Sequence, residues 1–263
     1  MTMRYWWDLT TREFAEMDLG VAVALLPVAA VEQHGPHLPV RVDAAINAGI
    51  VEAVRRVLPD DLNLLILPAQ NVGKSDEHIA FPGTLSISYE TLGRLWFDLA
   101  ESVHRAGCRR LIVFNSHGGQ PQLVDILCRE LRVRLGMFAV NCAWYNLIDM
   151  SDLFDPTELR HGIHGGAVET SIMLHLHPEL VKMSEAGNFP SNAEIIEREN
   201  RLLRAEGAIG FGWQTQDLNI QGACGNAGKA DAGIGEVLVA RAAQALATLI
   251  GEVARFPLAR IAG

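Results

Sequence analysis

Short apolar runs of strand length alternate with longer segments of helical periodicity, and this alternation restricts the folds open to the chain. Candidate strands occupy residues 21–30, 62–69, 110–115 and 137–143. Each run is continuously apolar, as expected of strands that are covered on both faces. Helical patterns occupy residues 44–58, 92–103, 121–131, 166–175 and 235–254, with Ser88 as an N-cap and Pro121 in a first turn. The order predicts an α/β fold with a mostly parallel central sheet.

Composition and charge exclude several functional classes. The chain has 263 residues, of which 49% are hydrophobic and 20% are charged. These values are typical of a globular protein, and we expect a single domain over residues 1–263. The formal charge is −9 and no Lys/Arg run is longer than a pair, which argues against nucleic acid or an anionic membrane as a partner. We expect a small-molecule partner instead.

The N-terminus lacks the basic and apolar regions of a secretory signal. The longest apolar run, 21–31, contains Pro27 and is shorter than the roughly 20 residues that span a membrane. The four cysteines are widely spaced and form no CxxC pair, so a cysteine zinc site is excluded. We expect a cytoplasmic protein in which any metal has nitrogen and oxygen ligands.

The first chemically informative segment, Glu32-Gln33-His34-Gly35, directly follows the first candidate strand. On an extended backbone Glu32 and His34 point to the same side, at the carboxyl edge where open α/β sheets bind ligands. A polar loop with internal hydrogen bonds is the simpler alternative. Asp43 also has two interpretations, because it precedes the helix at 44–58 and is a suitable N-cap.

The second segment, Asn115-Ser116-His117-Gly118-Gly119, follows the third candidate strand. His117 is therefore expected at the same edge of the sheet, where a neutral imidazole can bind a metal. The alternative is a histidine that only closes a strand-helix turn. The spacing matches neither GxGxxG nor GxxxxGK[ST], so the segment does not predict a nucleotide site.

The third segment, His164-Gly165-Gly166 followed by Glu169, lies at a predicted helix start. A histidine before the helix and a carboxylate in its first turns can face one crevice, although a carboxylate there is also favoured by the helix dipole. Mixed histidine and carboxylate ligands suit zinc, manganese or iron, and two ions sharing a carboxylate can activate water and polarise a carbonyl. An uncommitted histidine can then act as acid and base.

These segments together resemble the creatininase (creatinine amidohydrolase) family. The resemblance follows the order of the chain through these blocks: Leu26-Pro27-Val28, Glu32 to Gly35, Asp43, Phe81-Pro82-Gly83-Thr84, Asn115 to Gly119, His164 to Gly166, Glu169-Thr170-Ser171, and the closing glycines Gly222, Gly225 and Gly235. It implies a three-layer α/β/α fold, a centre of two divalent ions (Zn, Mn or Fe) and a homo-oligomer, often a hexamer.

The resemblance also implies roles for individual residues. Glu32, His34, Asp43 and His117 match metal-ligand positions, with Asp43 as the bridging carboxylate, and His164 matches the catalytic histidine.

Creatininase itself has a metal-binding Glu where this chain has Gly119, so we assign the remaining ligand to Glu169. We assign Trp144, Arg160, Gly118, Gly119 and His78 to substrate binding. Arg160 stands where creatininase has a pocket tryptophan, which favours an anionic substrate over creatinine. The alternative is that Arg160 faces solvent or pairs with a nearby acid.

The resemblance implies hydrolysis but leaves the substrate open. The family includes enzymes that open creatinine, deformylate pyrimidine precursors, process a redox peptide and hydrolyse cyclic sugar ketones. We expect opening of a cyclic amide or formamide carbon-nitrogen bond in a small molecule. The alternatives are metal-dependent cleavage of a carbon-carbon bond in a ring ketone, a metal-containing binding protein without catalysis, and a Cys224 nucleophile.

Overall fold

The computed structural model describes residues 3–261 and is built on a five-stranded parallel sheet. The strands are β1 (Met3–Tyr5), β2 (Val23–Val28), β3 (Leu64–Ile66), β4 (Arg110–Asn115) and β5 (Phe138–Ala143). Their order across the sheet is β1-β3-β2-β4-β5, and every adjacent pair is parallel. The predicted mostly parallel sheet is therefore confirmed.

Both faces of the sheet are buried, as the continuous apolar runs predict. On β2, Val23 and Leu25 face one hydrophobic core, whereas Ala24 and Leu26 face the other. The four predicted strands all form, with ends trimmed by up to three residues at either end. The strand β1 was not predicted, because three residues carry too little pattern to distinguish a strand from a loop.

Helices cover the sheet in two layers, so the three-layer α/β/α fold is confirmed. The helices are α1 (Thr11–Glu16), α2 (Val42–Val54), α3 (Tyr89–Ala106), α4 (Pro121–Leu135), α5 (Pro156–His161), α6 (Ala167–Leu176), α7 (Asn192–Glu199), α8 (Thr215–Leu218) and α9 (Ala232–Arg255). One layer contains α2, α6 and α9, and the other contains α3 and α4. A two-stranded antiparallel pair, β6 (Asn188–Phe189) and β7 (Gly225–Asn226), lies outside the main sheet.

Local sequence signals set several helix ends. Ser88 caps α3 by accepting a hydrogen bond from the Thr91 backbone N–H, and Pro121 begins α4, both as predicted. The N-cap alternative for Asp43 is wrong. The helix α2 begins at Val42 with Arg41 as its N-cap, which leaves the Asp43 side chain free to point elsewhere.

The last helix, α9, is long and apolar enough to cross a membrane by length and composition, with a mean hydropathy of 1.5. Half of its most apolar window is buried within the molecule, where it packs against α2 and α6. Core helices meet the same length and composition criteria as membrane helices, and Leu238, Leu246 and Ile250 of α9 lie in the core beside the sheet.

The parallel topology brings three loops to one edge of the sheet. The strands β3, β2 and β4 are neighbours, and Val28 of β2 pairs in register with Asn115 of β4. Each of these strands is followed by a loop at its carboxyl end. Candidate ligands that are distant in sequence are thereby collected in one place.

Candidate metal centre

The loop after β2 holds Glu32 and His34 rigidly at the edge of the sheet. The Glu32 backbone N–H donates to the Val40 carbonyl at 3.0 Å, and His34 forms an isolated antiparallel bridge with Leu38. Gly35, with a φ of 73°, allows the chain to reverse direction between His34 and Leu38. Both candidate side chains are almost fully buried, with His34 0% and Glu32 2% exposed.

Asp43 joins two groups of candidate ligands. Its Oδ2 lies 3.4 Å from His117 Nδ1, which is also 3.1 Å from Glu32 Oε2. Its Oδ1 lies 3.5 Å from His34 Nε2, which is 3.8 Å from Glu169 Oε1. The ligand atoms within each group lie within 4.8 Å of one another, a spacing that can hold a metal ion. The geometry is that of two adjoining sites with one shared carboxylate.

Backbone carbonyls orient both histidine rings of these groups. His34 Nδ1 lies 3.0 Å from the Glu32 carbonyl, and His117 Nε2 lies 2.8 Å from the Lys74 carbonyl. A carbonyl oxygen only accepts, so these nitrogens carry the ring protons. The other nitrogen of each neutral ring then turns a lone pair toward the carboxylates. Metal-binding histidines are held in this way in proteins.

Two buried atoms in the groups have no hydrogen-bond partner among the described residues: His34 Nε2 and Asp43 Oδ2. Leaving a buried polar atom unpaired is costly, at about 1–3 kcal/mol. Both atoms face the space between the candidate ligands, where a divalent ion would satisfy them. The donor set of imidazole nitrogens and carboxylate oxygens fits zinc, manganese or iron.

The pKa shifts of His34 and His117 show that both groups of candidate ligands favour a positive charge. Burial alone lowers the pKa of His34, but the Glu169 and Asp43 carboxylates outweigh it and hold that pKa well above its usual range. The pKa of His117 is also raised against the effect of burial, chiefly by Glu32 and Asp43. A metal ion bound by these residues would supply this charge in place of the protons, which would couple metal binding to pH.

His164 lies beside the groups at the point where the chain enters α6. Its ring is 4.1 Å from that of His34, and its Nδ1 is 3.6 Å from Glu32 Oε1. Its Nε2 donates to the Gln33 carbonyl at 2.6 Å, so the neutral ring has a bare Nδ1 facing the site. Burial, followed by the nearby His34, lowers the pKa of His164 and keeps the ring neutral.

The structure brings Glu169 to His34 and Asp43, the place that the ligand assignment requires. One Glu169 oxygen faces His34, and the other accepts the Gly165 backbone N–H at 2.6 Å. Gly119 has its own reason to lack a side chain. A Cβ atom there would lie 1.6 Å from Glu77 Oε1, because the Glu77 carboxylate fills this space. Coordination by Glu169 stays a prediction.

A cavity of about 490 Å³ opens onto the two groups. Of the predicted substrate-binding residues, His78, Gly118 and Gly119 line it. The glycine-rich segment from Ala205 to Trp213 also lines it. The site therefore combines a polar floor with access for a small molecule.

Comparison with known proteins places this architecture in a family. The model of the creatininase (creatinine amidohydrolase) family matches residues 7–250. The chain is 31% identical to the creatinine amidohydrolase of Pseudomonas putida, over 70% of this chain and 75% of that protein. It is 30% identical to the mycofactocin precursor peptide peptidase of Mycolicibacterium smegmatis, over 72% and 71% of the two chains.

The chain belongs to the creatininase family. Solved creatininases share its fold and carry metals. The manganese form of creatininase has a TM-score of 0.74 and 26% identity, covering 94% of this chain and 97% of that one. A zinc–zinc form of a creatininase variant gives the same four values. The protein is accordingly a creatininase-family hydrolase with metal-binding groups of residues.

Two of the residues predicted to contact substrate, Arg160 and Trp144, do not line this cavity. Arg160 lies outside the cavity with its side chain 59% exposed, and its guanidinium pairs with both carboxylate oxygens of Glu197. A charged group already paired at the surface is not available to a substrate in the cavity. Trp144 is 3% exposed and packs in the hydrophobic core beside the sheet, because β5 directs it inward where the strand ends.

The structure also argues against the cysteine alternative. Cys224 is buried outside the cavity lining, and burial raises the pKa of its thiol to about 11. A protonated, enclosed thiol is a poor nucleophile at neutral pH.

Glu77 and Lys74 line the cavity but were not predicted as site residues from the sequence. Glu77 Oε1 lies 3.2 Å from His117 Nε2, and Lys74 Nζ lies 3.5 Å from Glu77 Oε2. Their position in the chain could have predicted them, because the segment from Lys74 to His78 follows β3, the strand adjacent to β2. Gln33 lies within the Glu32-Gln33-His34-Gly35 segment, but no sequence pattern predicts a role for its side chain.

Proposed function

We propose that the protein is an amidohydrolase that opens a cyclic amide or formamide carbon-nitrogen bond in a small molecule. The observation that carries the proposal is the Asp43 carboxylate, whose two oxygens face two separate groups of candidate ligands. Such an arrangement is suited to two divalent ions that share one carboxylate. Membership of a hydrolase family supports the same reading.

The candidate ligands and His164 have separate roles in this proposal. Glu32, Asp43 and His117 would hold one ion, and His34, Asp43 and Glu169 the other. Divalent ions in such sites lower the pKa of water and polarise a carbonyl oxygen. The bare Nδ1 of His164 faces this region at 3.6 Å from Glu32 Oε1.

His164 is suited to move the proton of the reaction. Its Nδ1 takes a proton from the attacking water, and the same atom then gives that proton to the departing nitrogen. The Gln33 carbonyl holds the Nε2 proton in place, so exchange occurs only at the nitrogen that faces the site. A neutral ring at neutral pH is ready to accept a proton.

A second candidate is hydrolysis of a peptide bond. It is favoured by the mycofactocin precursor peptide peptidases, which reach 35% identity in Mycobacterium tuberculosis. The same residues serve either reaction, because both cleave a carbon-nitrogen bond at a carbonyl. The two candidates differ in the size of the group that the cavity accepts.

A substrate panel on zinc- or manganese-loaded protein tests the proposal. The panel contains creatinine, a neutral lactam, a carboxylate-bearing cyclic amide, a formamide, a ring ketone and short peptides, each scored by mass spectrometry. A new amine from a lactam or formamide at the highest kcat/KM is the expected result. Turnover confined to peptides would support the second candidate, and ring-ketone cleavage without a new amine would refute both.

We further propose a cytoplasmic homo-oligomer. Cys108, Cys128, Cys142 and Cys224 are free thiols, as is usual in a reducing compartment. On α4, Ile126 and Val133 are 59% and 75% exposed and lie seven residues apart, on one helix face that a second copy can cover. Light scattering after size-exclusion chromatography tests the assembly, and a monomer at micromolar concentration would contradict it.

A further inference from the structure

The Gln33 side chain contacts two of the histidine rings at the site, those of His78 and His164. It is 6% exposed and lies between Glu32 and His34 in sequence, yet its amide points away from the two ligand groups. Its Nε2 lies 2.8 Å from His78 Nδ1 and 3.3 Å from His164 Nε2.

Two backbone groups fix the orientation of the Gln33 amide. Its Oε1 accepts the Gly35 N–H at 2.9 Å, and its Nε2 donates to the Gly222 carbonyl at 2.7 Å. The reverse orientation would set oxygen against oxygen and N–H against N–H. Gly222 makes the approach possible, since a Cβ atom there would lie 2.2 Å from Gln33 Oε1. The second proton of Nε2 is therefore directed at the histidines.

Of the two ring nitrogens near that proton, only His78 Nδ1 can accept it. His164 Nε2 carries its own proton, which goes to the Gln33 carbonyl at 2.6 Å. The Thr215 hydroxyl lies 2.8 Å from His78 Nδ1 and 2.9 Å from the Glu77 carbonyl, and it can donate to either. Because the Gln33 N–H is directed at it, Nδ1 of His78 is bare, and the Thr215 hydroxyl can turn its proton toward the same nitrogen. The proton of the neutral His78 ring must then lie on Nε2.

We infer that His78 is a catalytic residue that presents a neutral Nε2–H to the carbonyl oxygen of the substrate, in a tautomer set by Gln33. His78 lines the cavity, and its Nε2 lies 3.6 Å from Glu32 Oε1 at the edge of the ligand groups. His78 also lies close enough to Glu32 and Glu77 to hold a metal ion with them. A nitrogen that carries a proton cannot ligate a metal, so this assignment excludes His78 as a ligand.

The inference rests on the proposed amide hydrolysis and adds one interaction to it. As the water oxygen bonds to the carbonyl carbon, the π electron pair moves onto the carbonyl oxygen, which accepts a hydrogen bond from Nε2–H. The pair returns when the carbon-nitrogen bond breaks, and the nitrogen leaves with the proton from His164. His78 keeps its own proton throughout. Donors aimed at such an oxygen lower the barrier most when they are held in place beforehand.

The first experiment reads the tautomer directly and needs no substrate. Zinc-loaded protein labelled with ¹⁵N at histidine is examined by NMR, and the His78 signals are assigned by their loss in His78→Gln. We expect a protonated Nε2 and a bare Nδ1. The variant Gln33→Glu replaces the donor with an acceptor, and the His78 proton should move to Nδ1. Gln70→Glu is the matched control, because the Gln70 amide also donates to a backbone carbonyl, that of Pro68, at 2.9 Å.

The second experiment measures kcat and KM for the best substrate of the panel. His78→Leu should lower kcat by about 10²–10³-fold with little change in KM, the usual effect of losing one such donor. His78→Gln, whose amide restores an N–H near the same place, should recover at least tenfold. Zinc content should stay at the wild-type value in both. A bare Nε2 in the NMR spectrum, loss of zinc in His78→Leu, or unchanged kcat would each overturn the inference. Failure of the whole panel would refute the proposed function instead, while the NMR result still decides the tautomer.

Discussion

Replacing Glu169 with glutamine separates the two candidate metal sites. Glu169 belongs to the group with His34 and Asp43 but not to the group with Glu32, Asp43 and His117. One of its oxygens accepts the Gly165 N–H at 2.6 Å and the other faces His34. Glutamine retains an oxygen for Gly165 and turns an amide N–H₂, which cannot ligate, toward His34. The substitution therefore preserves the local fold and removes one ligand.

The expected magnitude follows from the ligands that remain. Without Glu169, His34 and Asp43 are the only members of that group, and Asp43 is shared with the other ion. Losing a residue that merely supports a ligand weakens metal binding about 10–100-fold. Losing a ligand should exceed the upper end of this range, or more than about 2.8 kcal/mol. Occupancy of one site should fall below half at metal concentrations that fill the wild-type protein.

The assay is metal content after dialysis, followed by isothermal titration with zinc. Wild-type protein should hold two ions and Glu169→Gln one. Glu13→Gln is the matched control, since Glu13 also lies in the first turn of a helix and accepts a backbone N–H, that of Thr10 at 2.8 Å, far from the cavity. Two ions bound with unchanged affinity in Glu169→Gln would refute the ligand assignment.

Three further variants test the roles of His164, Arg160 and Gly119. His164→Asn should keep its metal content but lower kcat by about 10²–10⁴-fold, and loss of an ion instead would make His164 a ligand. Arg160→Ala should leave kcat/KM unchanged and change the urea midpoint of unfolding little, because its pair with Glu197 is exposed; a large fall in kcat/KM would show that Arg160 acts in the site. Gly119→Ala should cost about 1–3 kcal/mol in urea unfolding and perturb activity, since its Cβ displaces Glu77; a variant indistinguishable from wild type would contradict the packing described at this turn.

Local pattern was sufficient for the elements that carry the site. Continuous apolar runs predicted β2 and β4, and the position of Glu32 and His117 just beyond these strands predicted that they meet at one edge. Parallel topology makes this inference general, because carboxyl ends of neighbouring parallel strands lie together.

Contacts between segments that are distant in the sequence could not be predicted from local patterns. Arg160 is paired with Glu197, 37 residues away on another helix, and no local pattern identifies that partner. The filling of the space at Gly119 by Glu77 depends on how two loops pack, which sequence periodicity does not encode. The tautomer of His78 likewise depends on Gln33, 45 residues earlier in the chain.

Anomalous diffraction from crystals grown with zinc tests whether two ions share Asp43. Data collected on both sides of the zinc edge locate every bound ion independently of the refined coordinates. We expect two anomalous peaks in the cavity, one among Glu32, Asp43 and His117 and one among His34, Asp43 and Glu169. A single peak that Asp43 does not touch, or no peak among these residues in protein that retains full activity, would contradict it.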